Sequence, residues 1–280
     1  MVKGAGPIRV SVVFACISML FALQEAPEKV YFMRGQESLP PKSGKAVVGR
    51  QRRKKRMIKA VIFDMFETLV DLFEGRTYFS ENIASDMNLP VDTFRMAWHA
   101  TESFRSNGQF TIEDAVTKTL TAFGCGSAEN VELVCRKRRE ALEDTFRSVP
   151  EAVGALLREL HERDIRIGVI SNCYSDECKA IHECSIYPLL DAAKLSYEQG
   201  VCKPDVSLYF RAAAELGVEP EECLYVGDGG CNELQAAKEA GMKPVQALWF
   251  RERFFEPHVP SPVFEEFDRA EKPQDVLRYL

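Results

Sequence analysis

The chain has 280 residues, 46% apolar and 28% charged, a balance that suits one or two globular domains and argues against both a disordered chain and a membrane-spanning bundle. Its net charge of −6 is unevenly placed: residues 1–56 hold 12 Lys/Arg against 3 Asp/Glu, a surplus of +9, so the other 224 residues carry −15. The first 56 residues are therefore a different kind of sequence, and the acidic body argues against a nucleic-acid partner.

At the start, Lys3 and Arg9 precede an apolar run from Val10 to Leu23, about as long as a signal-peptide core and shorter than the ~20 residues of a typical membrane span. The exit from that run, Phe21-Ala-Leu-Gln-Glu-Ala, lacks a small-x-small cleavage site. The nine cysteines are odd in number and show no framework spacing, which suits a reducing, cytoplasmic setting better than secretion. Gln51-Arg-Arg-Lys-Lys-Arg56 stands directly before Met57 and would be encoded by purine-rich codons, as a ribosome-binding site looks when translated. The favoured reading is that the natural protein begins at Met57, ahead of a disordered basic arm or a targeting signal.

From Met57 the pattern is that of an ordered protein. Lys59-Ala-Val-Ile-Phe-Asp64 is an apolar run ending in an acid, as a buried strand reads when it delivers a carboxylate to the carboxyl edge of an open sheet. Apolar residues at three- and four-residue spacing then predict helices over Ser80–Met87, Pro90–Phe104, Ile112–Phe123 and Asn130–Phe146, with Thr111-Ile-Glu-Asp114 as a helix start carrying its own cap. Residues 75–149 thus read as a helical insert. From Glu151 helices and strands alternate: a helix to Arg163, a strand to Ile170, a helix from Asp176, a strand at Ala192–Ser196, a helix over Asp205–Leu216 and a strand at Leu224–Val226. A helix to Ala240, a strand at Val245–Trp249 and a short strand–helix pair from Phe267 complete the chain. Such alternation predicts an α/β fold, a doubly wound, Rossmann-like parallel sheet.

Four segments in this order carry chemistry: Asp64-Met-Phe66-Glu-Thr68 after the first strand, Ser171-Asn172 after the second, Gly200-Val-Cys-Lys203-Pro204 in a loop before a helix, and Gly227-Asp228-Gly-Gly-x-x-Glu233 after a later strand. Together they resemble the motifs of the haloacid dehalogenase-like (HAD) hydrolase superfamily. The resemblance implies a core of residues 57–74 and 150–280, with 75–149 as a helical cap. It implies Asp64 as nucleophile and Mg²⁺ held by Asp64, Asp228 and the Phe66 backbone carbonyl. Lys203, Ser171 and Asn172 would hold the transferring phosphoryl group. Thr68 would hydrogen-bond the loop after the first strand, and Glu233 would orient the metal waters or Lys203. The implied activity is that of a Mg²⁺-dependent phosphatase acting on a small phosphorylated metabolite, with no nucleic-acid or membrane partner; the oligomeric state is left open.

Phe66 departs from the family pattern. Phosphatases of this kind usually read Asp-x-Asp-x-Thr, the second Asp serving as acid and base, a contribution typically worth ~10²–10⁴ in rate. Glu67 follows where Gly is frequent, and on an extended loop it would point away from its neighbour's side. Dehalogenase relatives carry an aromatic at position 66, which makes a 2-haloacid dehalogenase-type hydrolase the leading enzymatic alternative, although the acid and glycines from Gly227 to Glu233 resemble the metal-binding form. A phosphonate- or phosphomutase-type transfer through Asp64 and a non-catalytic binding protein are further alternatives. Arg76 and Arg105 are candidate contacts for a second anionic group, set against solvated helix-end arginines as the more ordinary reading, and Trp98 reads as core. Cys173, Cys178 and Cys184 near His182 lack zinc-knuckle spacing.

Overall fold

The computed structural model describes residues 57–147 and 149–280; the leader, basic-arm and start-site readings of residues 1–56 lie outside them. Strand β1 (Ala60–Phe63) is wholly buried and runs between β2 (Arg166–Ser171) and β4 (Cys223–Gly227). With β3 (Ala192–Leu195), β5 (Lys243–Ala247) and β6 (Asp268–Ala270), they form a six-stranded parallel sheet in the order β3-β2-β1-β4-β5-β6. Chain direction along the sheet reverses beside β1, the switch point at which open α/β sheets place ligands.

Between β1 and β2 lie α1 (Ser80–Asp86), α2 (Val91–His99), α3 (Glu102–Ser106), α4 (Ile112–Ala122), α5 (Ala128–Arg147) and α6 (Glu151–Glu162). Beyond β2 come α7 (Ser175–Glu183), α8 (Ser196–Gln199), α9 (Val206–Leu216) and α10 (Glu233–Glu239). Successive residues of a strand face opposite sides. Val61 and Phe63 accordingly pack with Leu156, Leu157 and Leu160 of α6 and Ile181 of α7, while Ala60 and Ile62 pack with Leu208 and Ala212 of α9 and Leu234 of α10. Both faces are covered, so β1 needs apolar residues at every position and shows no alternation.

Helices α1, α2, α4 and α5 gather around an apolar cluster of their own, in which Ile83, Phe94, Val116, Leu120 and Val134 are almost fully enclosed. The loop after α3 reaches the sheet domain by backbone packing: a Cβ on Gly108, at φ +79°, would lie 2.3 Å from the Tyr197 carbonyl oxygen. Arg138 of α5 donates to Asp176 of α7 across the same seam at 2.8 Å. Among the described residues, no helix is long and apolar enough to cross a membrane.

Two boundaries differ from the periodicity. The run Pro90–Phe104 is two helices, because the Thr101 hydroxyl donates to the Trp98 carbonyl at 2.8 Å and the Arg105 guanidinium donates to the same carbonyl at 3.1 Å, giving the backbone an alternative to continuing. β5 begins two residues earlier than its apolar run, since Lys243 and Pro244 pair with Leu224 and Tyr225 of β4, and it ends before Leu248 and Trp249.

The start of α4 is capped as its sequence predicts: Thr111 Oγ1 accepts from the Asp114 amide at 3.1 Å and Asp114 Oδ2 accepts from the Thr111 amide at 3.0 Å. Losing such a cap costs about 1 kcal/mol. Thr111→Ala should therefore lower the melting temperature by about 2–4 °C in calorimetry, and an unchanged value would show that the cap contributes nothing.

Candidate active site

Asp64 is fixed just beyond β1, where its amide donates to the Val226 carbonyl at 2.8 Å and so continues the ladder to β4. The chain then turns sharply, with the Leu69 and Val70 amides both donating to the Met65 carbonyl. Asp228 leaves β4 beside it; its Oδ1 accepts from the Gly230 amide at 2.9 Å and its Oδ2 from the Ser261 hydroxyl at 3.0 Å. Lys203 and Asn172 lock two loops together reciprocally: the Lys203 amide donates to Asn172 Oδ1 at 2.7 Å, and Asn172 Nδ2 donates to the Lys203 carbonyl at 3.2 Å.

At the centre, Lys203 Nζ donates to Asp64 Oδ1 at 2.5 Å and to Glu233 Oε2 at 2.6 Å. Glu233, the first residue of α10, is fully buried and also accepts from the Tyr225 hydroxyl at 2.8 Å and the Gly229 amide at 3.0 Å. Its carboxylate occupies the space that a side chain at 227 would need: a Cβ on Gly227 would lie 2.1 Å from Glu233 Oε1. Glycine at 227 is thus a requirement of the buried ion pair.

Electrostatics follow from three acids around one cation. Burial raises the Asp64 carboxyl to about 8, the Lys203 ammonium pulling it down while Glu233 and Asp228 push it up. Burial, with Glu233, raises Asp228 to about 6 despite the Gly230 and Ser261 hydrogen bonds. Burial alone would lower Lys203, but Asp64 and Glu233 hold the ammonium well above its ordinary value. A second cation is the natural complement of such a set.

The residues present fit a hard divalent ion. Ligand atoms of Asp64, Asp228 and Glu233 lie within 4.8 Å of one another, the one such group among the described residues. Glu233 is already saturated by Lys203, Tyr225 and Gly229. Asp64 Oδ2 and the Phe66 carbonyl oxygen, by contrast, accept no hydrogen bond among the described residues, so oxygens remain open as Mg²⁺ requires.

A cavity of 300 Å³ opens above these groups, lined by Asp64, Phe66, Glu67, Asn172, Lys203 and Asp228, with Glu102 and Ser106 of the insert on its far side. Ser171 ends β2 with no exposed surface, its hydroxyl 3.4 Å from the Asn172 carbonyl, and it does not line the cavity. The expectation for Thr68 needs correction. Its buried hydroxyl has no partner, because the turn's own backbone bonds already satisfy the loop; Thr68 is held through its carbonyl, which accepts from Trp249 Nε1 at 3.0 Å. Glu67 is also unlike the extended-loop reading: at φ +54° the backbone turns left-handed, and its Oε1 accepts from the Leu72 amide at 3.1 Å. Phe66 and Glu67 consequently face one cavity together. Phe66 sets its ring edge-on to Phe146 of α5, centroids 6.1 Å apart.

Other expectations resolve plainly. Arg76 is exposed and pairs with Glu140 at 2.8 Å, whereas Arg105 is 1% exposed and not solvated. Trp98 is buried and His99 pairs with Glu102. The Cys173 and Cys178 sulfurs lie 3.3 Å apart in the core, while His182 pairs with Glu198, so no zinc set forms there. Ser261 on the cavity wall lies outside any linear motif and carried no sequence signal, while Cys231 fills an unspecified position of the Gly227–Glu233 segment.

The model of the family described as haloacid dehalogenase-like hydrolase matches residues 58–241, well over half of the chain. The chain belongs to this family of hydrolases. It is 29% identical over 133 residues to a glyceraldehyde 3-phosphate phosphatase of Methanopyrus kandleri, a match covering 47% of this chain and 57% of that relative's length. Among solved structures, an L-2-haloacid dehalogenase superposes with a TM-score of 0.56 at 21% identity, covering 79% of this chain and 99% of the other. A HAD family enzyme of Bacteroides thetaiotaomicron, solved as a magnesium complex, superposes with a TM-score of 0.53 at 17% identity over 68% and 93%. At those identities the structures speak to the fold.

Asp228 and Asp64 make a sign-definite contribution to stability. Because their folded values, about 6 and about 8, are raised, the stability they supply is complete below the unfolded carboxyl range and lost as pH rises through those values. Metal-free protein should lose on the order of 2 kcal/mol between pH 6.5 and 9 in urea titrations, and Asp64→Asn should flatten that slope. A stability that rises over the same interval would contradict the assignment.

Proposed function

We propose that the protein is a Mg²⁺-dependent phosphatase of small phosphorylated metabolites that works through an aspartyl-phosphate on Asp64. The observation that carries the reading is the Asp64 carboxylate held by Lys203 at 2.5 Å, with Asp228 beside it and one Asp64 oxygen left unbonded in an open cavity. In the first step one oxygen of the Asp64 carboxylate attacks phosphorus, the bond to the leaving oxygen breaks, that oxygen departs with the electron pair and takes its proton from solvent, and the phosphoryl group passes to Asp64. Water then attacks the phosphorus of the acyl phosphate, the P–O bond to Asp64 breaks, the water's proton passes to solvent, and inorganic phosphate leaves the carboxylate restored. Asp64, Asp228 and the Phe66 carbonyl would hold Mg²⁺, which would supply positive charge to offset the repulsion between two anions.

Lys203 orients Asp64, favours its ionised form against the effect of burial and balances charge on the phosphoryl oxygens, while the backbone around Asn172, with Ser171 behind it, donates to the same oxygens. Glu233 positions Lys203. The helices α1 to α5 serve as the cap, closing over the cavity through Ser106 and Glu102. The relative named as a glyceraldehyde 3-phosphate phosphatase and the fold neighbour solved with magnesium support this reading. The acidic body and the cysteines, free of disulfides among the described residues, suit a cytoplasmic enzyme of metabolism without a nucleic-acid or membrane partner.

Phe66 cannot transfer a proton, so leaving groups that depart without protonation, such as acyl or phenolic oxygens, are favoured over alkoxides. The same aromatic side chain is the observation behind a second reading, displacement of halide from a 2-haloacid by Asp64. Phosphate release from acetyl phosphate and p-nitrophenyl phosphate should depend on Mg²⁺ and fall by at least about 10³-fold in Asp64→Asn. Phe66→Asp should raise the rate on an alkyl phosphate by about 10-fold or more. Halide release without metal, and no phosphate release, would replace the first reading by the second.

A further inference from the structure

Beside the break between α2 and α3 lies a buried cation that forms no ion pair among the described residues. Arg105 is 1% exposed, with its guanidinium stacked between Trp98 and Tyr174, Cζ lying 4.1 Å from each ring centroid. Its Nε donates to Thr101 Oγ1 at 3.0 Å and one terminal nitrogen to the Trp98 carbonyl at 3.1 Å. The other, Nη1, is buried without any partner. Glu102 and Glu177 act on Arg105 at a distance, yet neither forms an ion pair with it among the described residues. Nearby arginines differ in this respect: Arg138 pairs with Asp176 and Glu177, Arg95 with Glu81, and Arg76 with Glu140.

Two further observations point to a ligand. Arg105 lines a cavity of 370 Å³ whose wall also holds Arg76, Arg95 and Arg138, and it is the one arginine of that wall without an ion pair among the described residues. That cavity and the one over Asp64 share Leu72, Tyr174 and Glu177 as common wall, so the space beside Arg105 adjoins the space over Asp64. A buried guanidinium with a free donor is matched by a compact planar or tetrahedral oxyanion.

We propose that Arg105 is the anchor of an anion subsite in the helical insert, taking a carboxylate or second phosphate at the far end of the phosphorylated substrate. This rests on the phosphatase reading for what occupies Asp64, but the subsite can be tested without turnover. The substrates so defined are phosphorylated acids or bisphosphates, and an uncharged hydroxyl end is discriminated against because it leaves Arg105 uncompensated.

Titration calorimetry on Asp64→Asn protein with Mg²⁺ compares glycerol 3-phosphate, 3-phosphoglycerate and 1,3-propanediol bisphosphate. At least one two-anion ligand should bind about 10- to 100-fold more tightly than glycerol 3-phosphate, and which of the two does so identifies carboxylate or phosphate. Arg105→Met in that background should abolish the preference while leaving the melting temperature unchanged or raised, because an unpaired buried charge is removed. Arg105→Lys, which keeps the charge without the two-pronged donor, should retain part of the preference and keeps the test open if the Met variant does not fold. A lowered melting temperature with the preference intact would make Arg105 a structural strut for the helix break and overturn the subsite. Equal binding of all three ligands would overturn it as well. Preference without any turnover by the unsubstituted enzyme would instead sink the phosphatase reading and leave the subsite standing, whereas turnover without preference does the reverse.

Discussion

One buried ammonium organises the molecule's functional edge. Lys203 Nζ joins Asp64, delivered by β1, to Glu233, which opens α10, with both contacts near 2.5 Å. Desolvating three charges is expensive, and removing one partner from such a buried set typically costs about 3–5 kcal/mol. The surrounding structure answers that expense with hydrogen bonds: Tyr225 and Gly229 saturate Glu233, and Asn172 fixes the backbone on either side of Lys203. Asp64 Oδ2 and the Phe66 carbonyl are left without a hydrogen bond beside Asp228, where a divalent cation and a phosphoryl group are proposed to bind.

This arrangement depends on the sheet. Parallel strands β1 and β4 are neighbours and end together, so Asp64 and Asp228 meet without any help from sequence proximity. The insert between β1 and β2 then brings Ser106 and Glu102 over the opening. Position 67 illustrates the local demand. The turn after Asp64 needs a left-handed residue, where glycine is free of strain and Glu67 at φ +54° is not. Its side chain is held by Leu72 on the cavity wall beside Phe66, so the mouth combines an apolar ring with a carboxyl group in place of the usual second aspartate.

Most of the fold was legible because buried parallel strands read as unbroken apolar runs and the helices between them carry a strong 3.6-residue period. Asp64 and Asp228 were legible at strand ends and Lys203 before Pro204, and the resemblance carried by the four segments added Glu233 five residues beyond Asp228. Features that depend on tertiary contact were not. The break at Thr101 arises from side-chain bonds to the Trp98 carbonyl, which periodicity does not register. Ser261 reaches Asp228 from a proline-containing loop that reads only as a connector. The burial of Arg105 requires Tyr174, far away in sequence, to close over it. Thr68 shows the converse: its motif position suggested a side-chain hydrogen bond, and the turn's own amides left nothing for the hydroxyl to meet.

The central claim is that Asp64 takes the phosphoryl group. Its most direct test is rapid-quench labelling with ³²P-acetyl phosphate and Mg²⁺, followed by peptide mapping in acid, where acyl phosphates survive. The account predicts label on the single peptide containing Asp64, lost when EDTA is present during the reaction. Phosphate release with label on another residue, or with none at any quench time, would contradict it.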